Sequence, residues 1–299
     1  MQESILSVQG LTKKYGPLTA LNRLSLEIEK GQVFGILGPN GSGKTTTLGI
    51  LLNAIHPEEG NYFWFGESPT AAHRRKIGAI LEEPVFYPYL NAIDNLKITS
   101  AIKHIENPNF EQVLKTVDLF DRRYDKIKTY SFGMKQRLAI AGALVSEPDV
   151  LILDEPTNGL DPQGIAEIRN LITEISAHGI TIILASHMLD EVQKVCTHVA
   201  ILQKGKKLTS GSVEEVLQDK QSLEINAEET DKLHQILNET EGISSVKMEP
   251  DKFIVVMDEE LSPGKLNRWL VEKGVTVTHL AIRKKSLEKY FLDLTSKPE

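Results

Sequence analysis

The chain has 299 residues, enough for one large domain or two modest ones, and its 40% hydrophobic and 25% charged residues are typical of a soluble globular protein. The formal net charge of −7 argues against a nucleic-acid-binding protein, because phosphate contacts require a basic surface. We find no apolar run that could span a membrane and no signal-peptide pattern. The one cysteine, Cys196, excludes a disulfide framework within the chain and is expected to be a small buried hydrophobe in a reducing cytosol.

Short apolar stretches alternate with helical patterns through about the first 210 residues. They predict strands at residues 5–11, 24–29, 32–38, 61–66, 76–81, 150–155, 181–187, 199–205 and 206–211. Three stretches, 33–37, 150–153 and 180–185, are almost entirely apolar, as strands of a parallel sheet are when both faces are covered. The other early strands alternate between apolar and polar residues, which favours half-buried antiparallel strands.

The strand pattern stops between Pro84 and Pro148, where helical periodicity replaces it. Residues 90–102 and 110–120 both space their apolar side chains like one face of a helix. We therefore predict an α/β fold with a helical insert over about residues 86–148.

A second pattern begins after about residue 220. It predicts strand, helix, strand, strand, helix and strand in that order, which is the ferredoxin-like arrangement, and a last amphipathic helix with Ser286 as its N-cap. We predict two domains, residues 1–219 and 222–299. The second, a small α+β accessory domain, is either a structural appendage or a regulatory element.

Residues 38–45, GPNGSGKT, match the phosphate-binding pattern G-x-x-x-x-G-K-[ST] between a buried strand and a helix. Its glycines let the backbone curl so that successive N–H groups point at a phosphate. Lys44 supplies a positive charge for the β- and γ-phosphate oxygens, and Thr45 supplies a hydroxyl for Mg²⁺. The pattern predicts a P-loop NTPase (a Walker A motif).

Asp154 and Glu155 follow a second buried strand. Two carboxylates at such a strand end are costly unless a cation or a water network uses them, and adjacent strand residues face opposite ways. We expect Asp154 to bind Mg²⁺ and Glu155 to orient and deprotonate the attacking water. The alternative is a strand end that meets solvent.

The order of the remaining motifs separates the classes of P-loop protein. A GTPase would need an Asn-Lys-x-Asp segment, which this chain lacks. The phosphate loop, the helical insert, SFGMKQR, LILDEP, NGLDP and LASH, in that order, resemble the ATP-binding subunit of ABC transporters over about residues 4–217. The C-terminal KKSLEKYFLDLT is similar to the ending of bacterial exporter subunits of the type that pairs with ABC-2-type membrane partners, including bacitracin- and lantibiotic-resistance exporters.

The resemblance implies a site for each motif. The nucleotide would contact Tyr15, Gly38, Pro39, Asn40, Gly41, Ser42, Gly43, Lys44, Thr45 and Thr46. Hydrolysis would use Glu155, His187 and Glu82, and Mg²⁺ would be held by Thr45, Asp154 and Glu82. The signature residues Ser131, Phe132, Gly133, Met134 and Lys135 would contact the ATP bound by the other protomer of a dimer, with Asp161 at the dimer interface.

Three of these residues have simpler alternatives. Tyr15 would stack on adenine, but it also fits a half-buried aromatic residue at a strand end. Asp161 also suits the N-cap of a helix that starts at Pro162. His187 would contact the γ-phosphate, although a lone histidine is usually structural.

Two positions depart from the family pattern. Glu82, or Glu83 if the register slips, occupies the place of a glutamine that touches Mg²⁺ and the attacking water, and an ionised carboxylate cannot donate a hydrogen bond as an amide does. Phe132 replaces the first of two glycines in the signature. Because a phenylalanine rarely adopts positive φ, we predict that Phe132 has ordinary φ and turns its ring away from the nucleotide.

Together these features predict a cytoplasmic ATPase subunit that uses ATP and Mg²⁺ and forms a homodimer or a heterodimer. It would lie on the inner face of the cell membrane through a polytopic ABC-2-type permease and would bind no nucleic acid. Two alternatives remain. One is a soluble ABC-type ATPase acting on ribosomes or DNA, although the chain has neither a second ATPase domain nor a long coiled coil. The other is a regulatory or assembly switch without transport, with Glu155 idle.

Overall fold

The computed structural model describes residues 3–81, 84–217, 222–258, 261–283 and 286–295. It divides the chain into two compact units, Met1–Val213 and Glu214–Glu299. The predicted boundary at 219–222 lies just beyond that division and falls largely outside the described residues, so it stays a prediction.

Six strands of the first unit form its main sheet, in the order β5-β6-β7-β3-β8-β9. They are β3 (Val33–Leu37), β5 (Ile77–Ile80), β6 (Val150–Asp154), β7 (Thr181–Ser186), β8 (His198–Gln203) and β9 (Lys206–Ser212). All neighbours are parallel except β8 and β9. The three stretches predicted to be buried on both faces are β3, β6 and β7, and every residue in them is buried. Continuous apolar sequence therefore marks the centre of this sheet.

A three-stranded antiparallel sheet has the order β2-β1-β4, with β1 (Ser4–Tyr15), β2 (Leu18–Glu29) and β4 (Glu59–Trp64). The core cluster joins Leu6 and Leu24 of this sheet to Ile36 and Ile152 of the main sheet. Strands β1 and β2 are longer than predicted, because they continue as a hairpin whose partly exposed residues lack regular alternation.

The helices of the first unit are α1 (Lys44–Leu51), α2 (Ala71–Arg75), α3 (Ala92–Ile102), α4 (Phe110–Thr116), α5 (Phe132–Leu144), α6 (Pro162–Ala177) and α7 (Leu189–Val195), and α8 (Val213–Leu217) follows β9. Between β5 and β6 the described residues contain helices and no strand, as the periodicity predicts. Cys196 follows α7 and is buried, and this burial raises the pKa of its thiol well above the usual range. No helix among the described residues is long and apolar enough to cross a membrane.

The second unit has the predicted ferredoxin-like order of strands and helices. Its elements are β10 (Ser222–Ala227), α9 (Thr230–Glu239), β11 (Ile243–Glu249), β12 (Lys252–Met257), α10 (Pro263–Glu272), β13 (Val277–Arg283) and α11 (Leu287–Thr295). The antiparallel sheet has the order β11-β12-β10-β13 and shares its own core with α9 and α10. Ser286 accepts a hydrogen bond from the Lys289 N–H at 3.2 Å, as its predicted N-cap role requires.

Candidate active site

The phosphate-binding loop connects the end of β3 to the first turn of α1. Gly38, Gly41 and Gly43 all have positive φ, where a side chain is strained, and two of them also lack room for one. Gly38 has φ 155° and Gly43 has φ 106°, and a Cβ would lie 2.3 Å from the Leu202 carbonyl oxygen and 2.6 Å from that of Ala20, respectively. The loop can therefore curl tightly against its neighbours and direct the first N–H groups of α1 toward a bound anion.

Lys44 is held across this loop. Its side chain is only 5% exposed, and Nζ donates to the Gly38 carbonyl oxygen at 2.8 Å and to that of Pro39 at 3.4 Å. Nζ also forms an ion pair with Glu155 Oε1 at 3.3 Å. The positive charge is thus already in the loop, with a carboxylate as its present counter-ion.

Thr45 and Asp154, the two described residues expected to hold Mg²⁺, lie in contact. The hydroxyl of Thr45 donates to Asp154 Oδ2 at 2.9 Å, and Asp154 is buried at the end of β6. A hydroxyl oxygen and a carboxylate oxygen beside a phosphate loop are ligands that Mg²⁺ prefers. The donor set therefore fits the predicted ion.

Glu155 links Lys44 to His187. Its Oε2 accepts from the ring Nδ1 of His187 at 2.8 Å and from the backbone N–H of the same residue at 3.3 Å. The ring hydrogen bond requires that Nδ1 carry a proton. Glu155 itself has φ 47°, a left-handed conformation that is uncommon outside glycine, and its N–H donates to the Ala185 carbonyl oxygen at 2.9 Å. Its backbone conformation and its contacts with Lys44 and His187 therefore hold this carboxylate in one position.

The signature segment forms the N-terminus of α5. Ser131 is the N-cap, and its hydroxyl accepts from the Met134 N–H at 3.2 Å. The helix begins at Phe132, and the backbone N–H of Lys135 donates to the Ser131 carbonyl oxygen. Phe132 is not among the described residues with positive φ, so the backbone prediction is confirmed.

The ring of Phe132 lies beside Gly159, where an added Cβ would be 3.4 Å from its Cε1. Phe132 as a whole is 39% exposed. Its orientation relative to a nucleotide stays a prediction.

Asp161 lies close to the signature segment. Its Oδ1 accepts from the Gly164 N–H at 2.8 Å, so the N-cap role is observed, with Pro162 in the first turn of α6. Asp161 also lines an open cavity of about 470 Å³ together with Ser131, Phe132, Gly133 and Met134. The structure therefore brings two predicted interface motifs to one concave surface.

Tyr15 lies at the end of β1 and is 46% exposed, and Lys13 Nζ is 5.5 Å from the centroid of its ring. Ala20 and Leu21 of the paired strand β2 lie next to Gly43, each 2.6 Å from where a Cβ on Gly43 would be. The hairpin thus borders the phosphate loop, and the exposed ring is available for stacking. Glu82 and Glu83 lie outside the described residues, although Pro84 after them lines the pocket described next.

A second pocket of about 320 Å³ was not predicted. Its lining residues are Thr45, Pro84, Phe132, Gln136, Asp154, Glu155, Asn158 and Gly159. Gln136 and Asn158 were absent from the predicted site. The helical spacing of Gln136, four residues after Phe132, was the available signal, because residues four apart share one face of a helix.

Comparison with known proteins identifies the family. The bacitracin transport ATP-binding protein BcrA of Bacillus licheniformis is 37% identical to this chain over 297 residues, which are 97% of this chain and 97% of BcrA. This chain belongs to the ATP-binding proteins of ABC transporters. The predicted family resemblance is therefore confirmed, and a family model described as ABC transporter matches residues 21–158.

Other relatives agree with this assignment. The lantibiotic transport ATP-binding protein SrtF of Streptococcus pyogenes is 40% identical over 202 residues, covering 68% of this chain and 88% of SrtF. The solved structure of cbiO1 from Clostridium perfringens, part of the ABC transporter complex cbiONQ, has a TM-score of 0.66 at 31% identity and covers 72% of this chain and 91% of cbiO1. The ATP-binding cassette MJ0796, in a dimeric post-hydrolysis state bound to ADP and Pi, has a TM-score of 0.62 at 26% identity over 70% of this chain and 99% of that one. This chain is thus a P-loop NTPase that hydrolyses ATP, as predicted.

Proposed function

We propose that this ATPase binds the triphosphate of ATP in residues 38–46. Lys44 and the N-terminus of α1 supply positive potential there. The exposed ring of Tyr15, on the hairpin beside the loop, supplies a flat surface on which adenine stacks.

Thr45 and Asp154 hold Mg²⁺ in this proposal, with Glu82 as a third ligand. The support is the 2.9 Å contact between the two described side chains and their oxygen chemistry. When bound, Mg²⁺ neutralises negative charge on the phosphate oxygens.

Glu155 acts as the general base for the attacking water. The observation that carries this role is the set of contacts on its two oxygens, one held by Lys44 and the other by His187. When the phosphates of ATP replace Glu155 as the partner of Lys44, Oε1 becomes available to accept a proton. His187 keeps Oε2 oriented during that exchange.

A head-to-tail dimer completes each site. In it, Ser131–Lys135 and Asp161 of one protomer face the ATP bound to the phosphate loop of the other. The shared cavity of these segments and the positive N-terminus of α5 support the arrangement, as does the dimeric state of MJ0796. The second protomer is another copy of this chain or a related ATPase subunit.

The dimer powers a separate ABC-2-type permease that exports a compound, and it lies on the cytoplasmic face of the cell membrane. The printed functions of BcrA and SrtF in bacitracin and lantibiotic transport support this part of the proposal. We expect affinity purification of the full chain from detergent-solubilised membranes to recover a multi-span membrane protein, and the pair to release phosphate in the presence of ATP and Mg²⁺. A chain that hydrolyses ATP but never copurifies with such a protein would favour the regulatory or assembly switch instead.

A further inference from the structure

Gln136 is a buried polar residue without an evident structural role. Its side chain is 4% exposed on α5, and it makes no hydrogen bond to any residue of the described chain. Buried polar side chains normally hydrogen-bond to protein, water or a ligand.

Another buried glutamine of the same unit shows the contrast. Gln32 is 8% exposed, and its amide accepts from the Glu29 N–H at 3.1 Å and donates to the Glu29 carboxylate at 3.2 Å. Gln32 is fully explained by its local contacts. Gln136 is not.

The pocket that Gln136 lines also contains the two carboxylates of the proposed active site, Asp154 and Glu155, and the hydroxyl of Thr45. Its volume of about 320 Å³ is enough for several water molecules, each of which occupies roughly 30 Å³ in the liquid. Ionised carboxylates only accept hydrogen bonds, whereas the amide of a glutamine both donates and accepts. Gln136, like Asn158, therefore brings a neutral amide donor to a pocket that contains two carboxylates.

We propose that Gln136 is a positioning residue for ATP hydrolysis in its own protomer, and that its amide holds water beside Glu155. The proposal rests on the site assignment made above. Gln136 takes no part in bond making. The water oxygen bonds to the γ-phosphorus, its proton goes to Glu155, and the bond from the γ-phosphorus to the leaving oxygen of ADP breaks.

The test replaces Gln136 by methionine in the full chain. Methionine fills a similar volume without a polar group, and the amide bonds to no described residue, so the melting temperature should change little. We expect kcat for phosphate release to fall at least tenfold while KM for ATP changes less than twofold. A melting temperature that holds while kcat falls is not expected of a residue that only packs. A Gln136→Met variant with wild-type kcat would overturn the proposal.

Gln32→Met is the matched control, because it removes a buried amide that is hydrogen-bonded outside the pocket. It should lower the melting temperature and keep the wild-type kcat. Gln136→Leu provides a second variant if the methionine variant does not fold, with the same expected loss of kcat.

Glu155→Gln distinguishes a wrong active-site assignment from a wrong role for Gln136. If Glu155→Gln keeps wild-type turnover, the site assignment is wrong; if it is inactive while both Gln136 variants turn over normally, only the role of Gln136 is wrong.

Discussion

The contact between Lys44 and Glu155 is the residue-scale feature with the clearest consequence. The Lys44 side chain is almost fully buried, and its ammonium group is 3.3 Å from a carboxylate oxygen. A buried charge needs a partner, so Lys44 keeps Glu155 until phosphate oxygens replace it. In our proposal, ATP binding therefore releases Glu155 from Lys44, so that Glu155 can act as the general base.

Lys44→Ala should abolish tight MgATP binding. A hydrogen bond to a charged group contributes about 1.5–3 kcal/mol, and Lys44 is placed to make more than one to the phosphates. Titration calorimetry measures the loss. Lys30→Ala, which removes an exposed lysine paired with Glu3 at 3.9 Å, is the control and should bind ATP normally. Equal affinity in the two variants would contradict the phosphate-loop assignment.

Glu155→Gln should bind ATP as well as the wild type and hydrolyse it about 10²–10⁴-fold more slowly, the usual contribution of a general base. Glutamine keeps the shape of the side chain but does not accept the proton. Because hydrolysis no longer separates the protomers, the variant should accumulate as a dimer when ATP is added, and size-exclusion chromatography detects that dimer. Glu174→Gln, on the exposed side of α6, should behave like the wild type. Rapid turnover by Glu155→Gln would transfer the base role to another residue.

At the scale of elements, both anion-directed helices begin at the segments that the sequence singled out. Helix α1 starts in the phosphate loop, and α5 starts at the signature serine, which caps it. The phenylalanine that replaces a glycine is compatible with this because it lies inside the first helical turn, where ordinary φ is required. The departure from the family pattern therefore leaves the N-terminus of α5 intact.

Gly43→Ala should destabilise the first unit and weaken ATP binding. At φ 106° a side chain is strained, and its Cβ would be 2.6 Å from the Ala20 carbonyl oxygen and from Leu21 Cδ2. Strain of this kind costs about 1–3 kcal/mol. Thermal unfolding and ATP titration measure the two effects.

Gly142→Ala is the control for that prediction. Gly142 lies within α5, has ordinary φ, and its added Cβ would meet Leu96 at 3.8 Å, an ordinary contact. Alanine in a helix interior is favoured over glycine by roughly 0.5–1 kcal/mol, so this variant should be as stable as the wild type or more stable. Equal melting temperatures for the two variants would show that the loop tolerates a side chain.

At the scale of the whole molecule, the phosphate loop and the signature segment belong to different sites of a dimer in our proposal. Each protomer then contributes the phosphate loop of one site and the signature segment of the other. Both halves are formed within the first unit, and the second unit has a core of its own.

A mixture of two inactive variants tests the shared site. Ser131→Arg should eliminate hydrolysis and leave ATP binding to the isolated chain intact, because in the proposed dimer an arginine does not fit in place of the capping serine opposite the phosphate of the other protomer's ATP. Mixed with Lys44→Ala, it should recover part of the wild-type phosphate release, since one of the two sites in a mixed dimer then carries both substitutions and the other carries none. Mixed dimers that form but stay inactive would mean that each protomer works alone.

The sequence by itself determined the local features. Apolar runs identified β3, β6 and β7 because strands covered on both faces exclude polar residues, and the glycines of the phosphate loop identified the curl before α1. The N-cap roles of Asp161 and Ser286 could be predicted because an N-cap depends on the side chain and a backbone N–H only three residues later.

Only the tertiary structure decided which distant residues meet. The sheet order β6-β7-β3 differs from the chain order, and the carboxyl ends of these parallel strands share one edge, which places Glu155, His187 and Lys44 together. The left-handed φ of Glu155 and the burial of Gln136 against the same pocket follow from that packing. Periodicity and capping depend on interactions between residues close in the chain, so a short segment of sequence predicts them. Strand order depends on the packing of the whole core, so no short segment predicts it.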